Sequence, residues 1–339
     1  MSPRHRILPV LPIACLLLVA FAAGCGGRRG HVIRGNKPTK PPPAVPAVKS
    51  VPIDPALQQA ARQEIATALR STDPLVRAHA IEAAKEGLGA EAGDPITAHL
   101  SDDSAVVRFA AALAAGELRL PQAKEQLLVM SDDRDASVRV GALFALHRLG
   151  DTRQSRELER TSRDPSARTR GDTALVLGLL GEPTGRNVLQ PMLYDSNAAV
   201  RLQAAEALWR LGNEQGLNNL VSASLSQFPD DQMIALLGLA GPRDQRALGH
   251  LRGALVADYD EVSLVAARGC GMLGSDDGYG VALKGAKSPE KRQRLLAALA
   301  FGAIGRADSQ DELAALLRDA DQDVRLAAAT ALLQVKQRS

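Results

Sequence analysis

Residues 135–150 read DASVRVGALFALHRLG, and this pattern of small, apolar and charged residues returns every 31 residues along most of the chain. Three residues after the arginine column given below, eight of nine positions are alanine. Such a repeat predicts a solenoid, whose units bury their apolar faces only against their neighbours. We call one position of the repeat the Arg column, because it holds arginine in seven of nine units, and we number the units 1 to 9 by its residues. These are Arg77, Arg108, Arg139, Arg170, Arg201, Gln232, Ser263, Arg294 and Arg325.

Each unit contains two segments with helical periodicity, such as PQAKEQLLVM over 121–130 and the stretch over 135–150. In the second segment, small residues follow the arginine at three and six positions and larger ones at seven and ten, all on one face. Gly150 closes the unit, as expected where a helix ends in the left-handed conformation. The repeats begin at Asp54-Pro55, an N-cap followed by a proline in the first turn.

Several segments resemble HEAT repeats, particularly the short bacterial kind first described in phycobilisome lyases. The resemblance is carried by DPLVRAHAIEAA (73–84), DSNAAVRLQAAEALWRLGN (195–213) and DADQDVRLAAATALL (319–333). It implies an all-α, right-handed α-solenoid of about nine 31-residue helical hairpins over residues 54–339. It also implies a ladder that links successive units, built from an Asp before the second helix and an Arg six residues later. Five units keep both residues: Asp102 with Arg108, Asp133 with Arg139, Asp164 with Arg170, Asp195 with Arg201, and Asp319 with Arg325.

The N-terminus has the pattern of an export signal, with a short basic start and an apolar run from Ile7 to Ala23. An uncleaved membrane anchor is the alternative interpretation of this run. The run ends in Ala22-Ala23-Gly24-Cys25, which resembles the lipobox of bacterial lipoproteins. The resemblance implies a signal peptide over 1–24, cleavage between Gly24 and Cys25, and fatty acyl chains such as palmitate on Cys25. More than one acyl chain would hold the protein stably on a membrane.

Residues 25–53 predict a linker, because glycines, prolines and basic residues replace any helical period. Residues 1–50 carry eight Lys or Arg and no acidic residue, which leaves 41 − 8 = 33 basic against 38 acidic residues in the rest of the chain. A repeat region near −5 with only 3% aromatic residues argues against a nucleic-acid partner, since phosphate binding needs a basic surface.

The sequence predicts no catalytic centre, no cofactor and no metal site. The histidines after the signal segment, which begin with His31 and His79, show no i, i+4 pairing and no neighbouring Glu. No nucleophile elbow, Walker loop or calcium-binding loop occurs either.

Candidate partner-binding residues are Trp209 and Arg210, with Tyr194 just before the same unit, because exposed aromatic residues and Arg carry much of the energy of protein interfaces. Units 6 and 7 are the competing site, since they have lost the Asp–Arg pattern. Acidic turns at 230–231, 258–261 and 276–277 form a possible ridge for a cation or a basic partner.

These observations predict a monomeric, non-enzymatic scaffold that binds a protein partner through its helical-repeat surface. The lipobox resemblance implies a place in the bacterial cell envelope, lipid-anchored and facing the periplasm or the exterior. The alternatives are a lyase-like enzyme or accessory factor, suggested by the family resemblance, and a purely structural envelope spacer.

Overall fold

The computed structural model describes residues 45–46, 51–52, 54–152 and 155–335. The predicted signal peptide, Cys25 and most of the linker lie outside these residues. The described part contains eighteen α-helices, two for each unit. They are α1 Pro55–Ala68, α2 Pro74–Leu88, α3 Gly93–Ala98, α4 Ala105–Glu117, α5 Lys124–Met130, α6 Ala136–Arg148, α7 Ser155–Thr161, α8 Ala167–Leu180, α9 Arg186–Met192, α10 Ala198–Arg210, α11 Glu214–Ser224, α12 Pro229–Ala240, α13 Leu248–Ala254, α14 Asp260–Met272, α15 Tyr279–Ala286, α16 Lys291–Ile304, α17 Gln310–Leu316 and α18 Gln322–Gln334.

The predicted right-handed α-solenoid of about nine helical hairpins is confirmed. The second helix of each unit, the inner helix, packs against the inner helix of the next unit. The first helix, the outer helix, is usually shorter and packs against inner helices. Close approach requires small residues, and Gly116 is one example. A Cβ added there would lie 2.8 Å from the Cα atom of Ala145 in α6.

The solenoid closes into a ring, which the repeat pattern alone does not predict. The last inner helix, α18, packs against α2 of unit 1, and α1 lies between α18 and α2 as every outer helix lies between two inner ones. Side-chain contacts across this seam include three between helices: Arg325 Nε donates to Glu64 Oε1 at 3.0 Å, His79 Nδ1 lies 3.1 Å from Asp323 Oδ1, and Gln334 Nε2 donates to Glu86 Oε2 at 3.1 Å.

The ring has two rims, which we name by what lies there. Inner helices begin at the turn rim, where each outer helix connects to the inner helix of its own unit. They end at the linker rim, where Pro46, Pro52 and Asp54 also lie. There Pro46 O accepts a hydrogen bond from Arg306 Nη1 at 2.9 Å, and Pro52 O accepts one from Gln310 Nε2 at 2.8 Å. The linker therefore joins the ring at the rim where the inner helices end.

The Arg column forms a ladder along the turn rim. In the structure an Arg binds the carboxylate of the Asp in the next unit, whereas the sequence paired each Arg with the Asp of its own unit. Arg108 Nη1 donates to the backbone carbonyl of Asp102, while its Nε and Nη2 bind both carboxylate oxygens of Asp133 at 2.9 and 3.0 Å. The same bidentate geometry joins Arg77 to Asp102, Arg170 to Asp195, and Arg294 to Asp319. Each Arg thus ties its own turn to the next turn, which fixes the register of neighbouring units.

The other predicted ladder residues have different partners. Arg139 donates to the carbonyl of Asp133, and its Nε lies 3.9 Å from Glu157. Arg201 donates to the carbonyl of Asp195, and the next turn has Ser226 in place of an Asp. Arg325 reaches Glu64 across the seam. Asp164 accepts from the backbone N–H of Ser166 and so supports the turn before α8.

Candidate functional site

The predicted cluster of Trp209, Arg210 and Tyr194 is split between the core and the surface. Trp209 is only 2% exposed, and its indole N–H donates to Leu239 O at 3.3 Å, so the prediction that it contacts a partner is wrong. Its position in the inner helix faces unit 6, where packing takes the ring out of solvent. Arg210 is partly buried and pairs with Glu206 at 2.9 Å. Tyr194 remains on the turn rim with 79% of its surface exposed.

Tyr194 belongs to an apolar patch on the turn rim, in units 5 to 7. Two positions in each outer-to-inner turn, seven and four residues before the Arg column, carry mostly polar residues in the other units. In units 5 to 7 the first position holds Tyr194, Leu225 and Val256, and in units 6 and 7 the second holds Phe228 and Tyr259. Four of these five are strongly exposed. We call the five residues the rim patch.

Two of the three aromatic residues of the rim patch, Phe228 and Tyr259, occupy helix N-caps. Phe228 precedes α12 and Tyr259 precedes α14, and neither side chain accepts a hydrogen bond from the helix. The same position holds Asp135 before α6 and Asn197 before α10, and both cap their helices with side-chain oxygens. Replacing such a cap typically costs about 1 kcal/mol. The rim patch therefore lies where local helix stability favours a different residue type.

Carboxylates surround the rim patch. Segments 225–232 and 256–263 carry no Lys or Arg, and their acidic residues include Asp231 and Asp258. Two of the carboxylates are drawn into ion pairs, Asp230 with Arg292 at 3.4 Å and Asp260 with Lys284 at 2.7 Å. The full acidic set is Asp230, Asp231, Asp258, Asp260 and Glu261.

Asp172 of α8 is a fully buried carboxylate. It lies 3.7 Å from Arg168 Nε, and neither oxygen has a hydrogen-bond partner among the described residues. Burial raises the pKa of Asp172 to about 7, and Ser137 and Arg168 oppose that rise. His79 of α2 is also buried.

A chamber of about 990 Å³ opens at the linker rim. Its walls come from units 1, 2 and 6 to 9, so ring closure creates it. The charged lining residues are Lys85, Glu86, Glu117, Arg243 and Arg268, and the apolar ones are Met272, Leu299, Ile304 and Leu333.

Most acidic charge in the chamber is already engaged. Lys85 Nζ donates to Glu82 at 2.7 Å and to Glu117 at 2.9 Å. Burial opposes the charge of Lys85, but Glu82 and Glu117 outweigh it and raise its pKa. Glu86 is exposed to the chamber. The surrounding protein and the nearby Glu82 raise its pKa, while the positive charges of Arg268 and Lys85 oppose that rise.

Arg243 has a positive φ at a position where most other units have a glycine. It lies eleven residues after the Arg-column position, where Gly150, Gly181, Gly212, Gly274 and Gly305 end their inner helices with positive φ. Arg243 has φ of 60°, and Arg119 in unit 2 has φ of 51°. Side chains in this region cost roughly 1 kcal/mol or more, so the two arginines are strained where glycine would not be.

A second depression, of about 620 Å³, lies between α7 and α9. Its lining includes the ion pairs of Arg170 with Asp195 at 2.6 Å and of Arg163 with Glu159 at 3.4 Å, and His147 Nε2 lies 2.9 Å from Glu182 Oε1. The contacts of Arg170 and His147 hold neighbouring units together.

Within the described ranges, no three His, Cys, Asp or Glu side chains come together as metal ligands. None of the helices described in this chain combines the length and hydropathy needed to cross a bilayer. Cys270 is buried in α14, and burial raises the pKa of its thiol to about 12.

Comparison with known proteins identifies the class. The family of HEAT repeats matches residues 63–147 and 157–231, so the chain carries HEAT repeats, and its remaining units continue the same period. No curated protein sequence matches the chain. The protein is thus a HEAT-repeat solenoid, and its described units close into a ring.

Three solved structures are similar to this chain at low sequence identity. A chain from the complex of CpcE and CpcF of phycocyanin lyase from a Nostoc species is 22% identical, covering 70% of this chain and 97% of its own, with a TM-score of 0.45. Human deoxyhypusine hydroxylase is 20% identical, covering 73% and 96%, with a TM-score of 0.37. The Escherichia coli protein YibA is 19% identical, covering 75% and 95%, with a TM-score of 0.34.

Proposed function

We propose that this protein is a non-enzymatic scaffold of the bacterial cell envelope. Cys25 carries the lipid anchor, and the rim patch in units 5 to 7 binds a protein partner. The observation that carries the proposal is the change of two turn positions from polar to apolar residues in consecutive units. HEAT repeats are protein-binding scaffolds as a class, and exposed apolar clusters of this kind mark interaction sites.

The composition of the rim patch indicates the chemistry of its partner. Phe228 and Tyr259 offer large apolar surfaces, and Leu225, three residues before Phe228 in the same turn, is also exposed. The flanking carboxylates favour a partner segment that carries Lys or Arg beside an apolar anchor residue. Like-charged surfaces would be repelled, which gives the site selectivity as well as attraction.

The position of the linker supports an orientation on the membrane. Pro46, Pro52 and Asp54 lie at the linker rim, while the rim patch lies at the turn rim, on the opposite side of the ring. A ring tethered through Cys25 would then present the rim patch away from the tether. The proline-rich segment before residue 46 favours extended polyproline II, which would separate the ring from the bilayer.

The test is cross-linking in intact bacterial cells followed by mass spectrometry. It compares the native chain, Cys25→Ala, and the double variant Phe228→Asn/Tyr259→Asn. We expect the native chain to cross-link through the turns of units 5 to 7 to one protein whose contact segment is rich in Lys or Arg. The double variant should lose at least nine-tenths of these cross-links, and Cys25→Ala should release the protein from the membrane fraction.

The double variant is expected to fold at least as well as the native chain, because Asn supplies the missing N-cap at both helices. Val129→Asn is the matched control, since Val129 is 68% exposed on the outer helix α5, away from the rim patch. Its cross-links should be unchanged. Diffuse cross-links that none of the substitutions alters would contradict the binding role and favour the spacer alternative.

A further inference from the structure

The chamber at the linker rim is built by ring closure but plays no part in the proposed protein-binding role. Its lining combines five charged side chains with the apolar Met272, Leu299, Ile304 and Leu333. Its volume of about 990 Å³ lies at the upper end of the range for small-molecule sites.

The charges of the chamber do not balance one another equally. Glu117 is paired with Lys85, and Glu86 accepts a hydrogen bond from Gln334. By contrast, no carboxylate within the described ranges lies at ion-pair distance from Arg243 or Arg268. The Nη1 atom of Arg268 is buried and has no hydrogen-bond partner there.

Arg268 and His79 meet at the floor of the chamber. Both line a small adjoining cavity of about 20 Å³, together with Glu82, Glu86 and Thr330. His79 is 2% exposed, and its Nε2 atom is also buried without a partner, while Nδ1 lies against Asp323. The buried Nη1 donor of Arg268 is costly without an acceptor, and a bound acceptor removes that cost. A 20 Å³ space holds a water molecule or the oxygen of a larger ligand.

The conformation of Arg243 points in the same direction. Glycine ends the inner helix at this position in five other units, so the fold does not require an arginine there. The strained backbone instead places a guanidinium group at the chamber wall. Arg119 has the same conformation but does not line the chamber, so it separates the effect of strain from the effect of charge.

We propose that the chamber binds an aliphatic anion, with its carboxylate or phosphate held by Arg243 and Arg268. The aliphatic part lies against Met272, Leu299, Ile304 and Leu333. Guanidinium groups suit this role because their planar donors match both carboxylate and phosphate oxygens. A free fatty acid and a lipid headgroup with its chain share this chemistry.

The experiment is isothermal titration calorimetry of the full-length protein with octanoate, which is short enough to stay monomeric in water. A second titration uses octyl phosphate. If it binds more tightly than octanoate, the natural ligand carries a phosphate, and if octanoate binds more tightly, the ligand carries a carboxylate. We expect octanoate to bind at least tenfold more tightly than acetate or octanol, since each of these lacks one half of the recognised chemistry. Equal affinity for octanoate and acetate, or for octanoate and octanol, would overturn the proposal.

Arg243→Gly provides the decisive variant, because it removes the guanidinium group and also relieves the strained backbone. It should fold at least as well as the native chain and bind octanoate about tenfold more weakly, the loss expected for one charge-assisted contact. Arg268→Gln should weaken binding by a similar factor. Arg119→Gly should leave binding unchanged. Native affinity in Arg243→Gly, or an equal loss in Arg119→Gly, would overturn the assignment, and neither result bears on partner binding at the rim patch.

Discussion

Replacing Trp209 by Ala should lower the free energy of unfolding by about 3–5 kcal/mol, the range for truncating a large buried aromatic side chain. Trp209 is the largest of the fully buried side chains and packs in the contact between units 5 and 6. Its substitution also removes the hydrogen bond to Leu239 and the contact with Arg246, whose guanidinium carbon lies 4.6 Å from the indole centroid. Urea unfolding followed by circular dichroism at 222 nm measures the loss.

Tyr194→Ala is the matched control for this prediction, because the side chain is exposed on the turn rim of the same unit. It should change stability by less than about 0.5 kcal/mol, as is usual for surface substitutions. The account would be contradicted if Trp209→Ala unfolded like the native chain while losing the partner. That result would restore Trp209 to the binding surface that its sequence position suggested.

Asp172→Asn should stabilise the ring at pH 8 by about 2–4 kcal/mol and leave its stability nearly unchanged at pH 4. In the folded chain the pKa of Asp172 is raised from 3.8 to about 7, mainly by burial. A pKa that rises by one corresponds to a free-energy difference of about 1.4 kcal/mol, so the cost of ionising Asp172 in the folded chain approaches about 4 kcal/mol. Asn keeps the size of the side chain but carries no charge that must be buried.

The sign follows from the two protonation equilibria. Below pH 3.8 the carboxyl is protonated in both states, and ionisation costs the fold nothing. Between pH 3.8 and 7 the unfolded chain loses its proton first, so stability falls as pH rises, and above pH 7 the full penalty is present. Urea unfolding at pH 4 and pH 8 checks this, with the exposed Asp132→Asn as control. An equal gain at both pH values would show that Asp172 is already ionised at low cost.

The repeat architecture was readable from the sequence because it depends on side chains that recur in fixed columns. The Arg column, the Ala column that follows it and the closing glycines all appear in the structure in the roles expected of a HEAT unit. Cys270 is likewise buried in the core, in a column that holds Leu in units 3 to 5. Periodicity reports local packing well, since each unit contacts mainly its two neighbours.

Ring closure could not be read in the same way. Nine units close a circle only if each turns by about 40°, and this angle depends on small differences in packing that single residues do not reveal. The seam contact between Glu64 and Arg325 also lies outside the columns, because unit 1 has Ser71 where the ladder would need an Asp. The exposure of Trp209 was misjudged for a related reason. Whether the Trp209 side chain contacts solvent or the next unit depends on which way the inner helix faces.

Two signals of the candidate sites were present in the sequence and were missed. Arg119 and Arg243 occupy a glycine column, and Phe228 and Tyr259 occupy an N-cap column. Each substitution works against local helix energetics, and three of the four residues, Arg243, Phe228 and Tyr259, belong to a proposed site. Their significance becomes visible only once the ring shows which of them share a chamber or a rim.

The most direct test of the closed ring is a disulfide across its seam, in the double variant Gly87→Cys/Leu333→Cys. A Cβ atom at residue 87 would lie 3.4 Å from the Cβ atom of Leu333, about the separation that a disulfide needs. Cys270 should not compete, because its thiol is buried and its pKa is raised. A closed ring predicts an intramolecular bond between residues 87 and 333 by peptide mass spectrometry, and a stability gain of up to about 5 kcal/mol for so long a loop. Thiols that stay free under air, or that join only separate molecules, would show that the two ends of the solenoid do not meet.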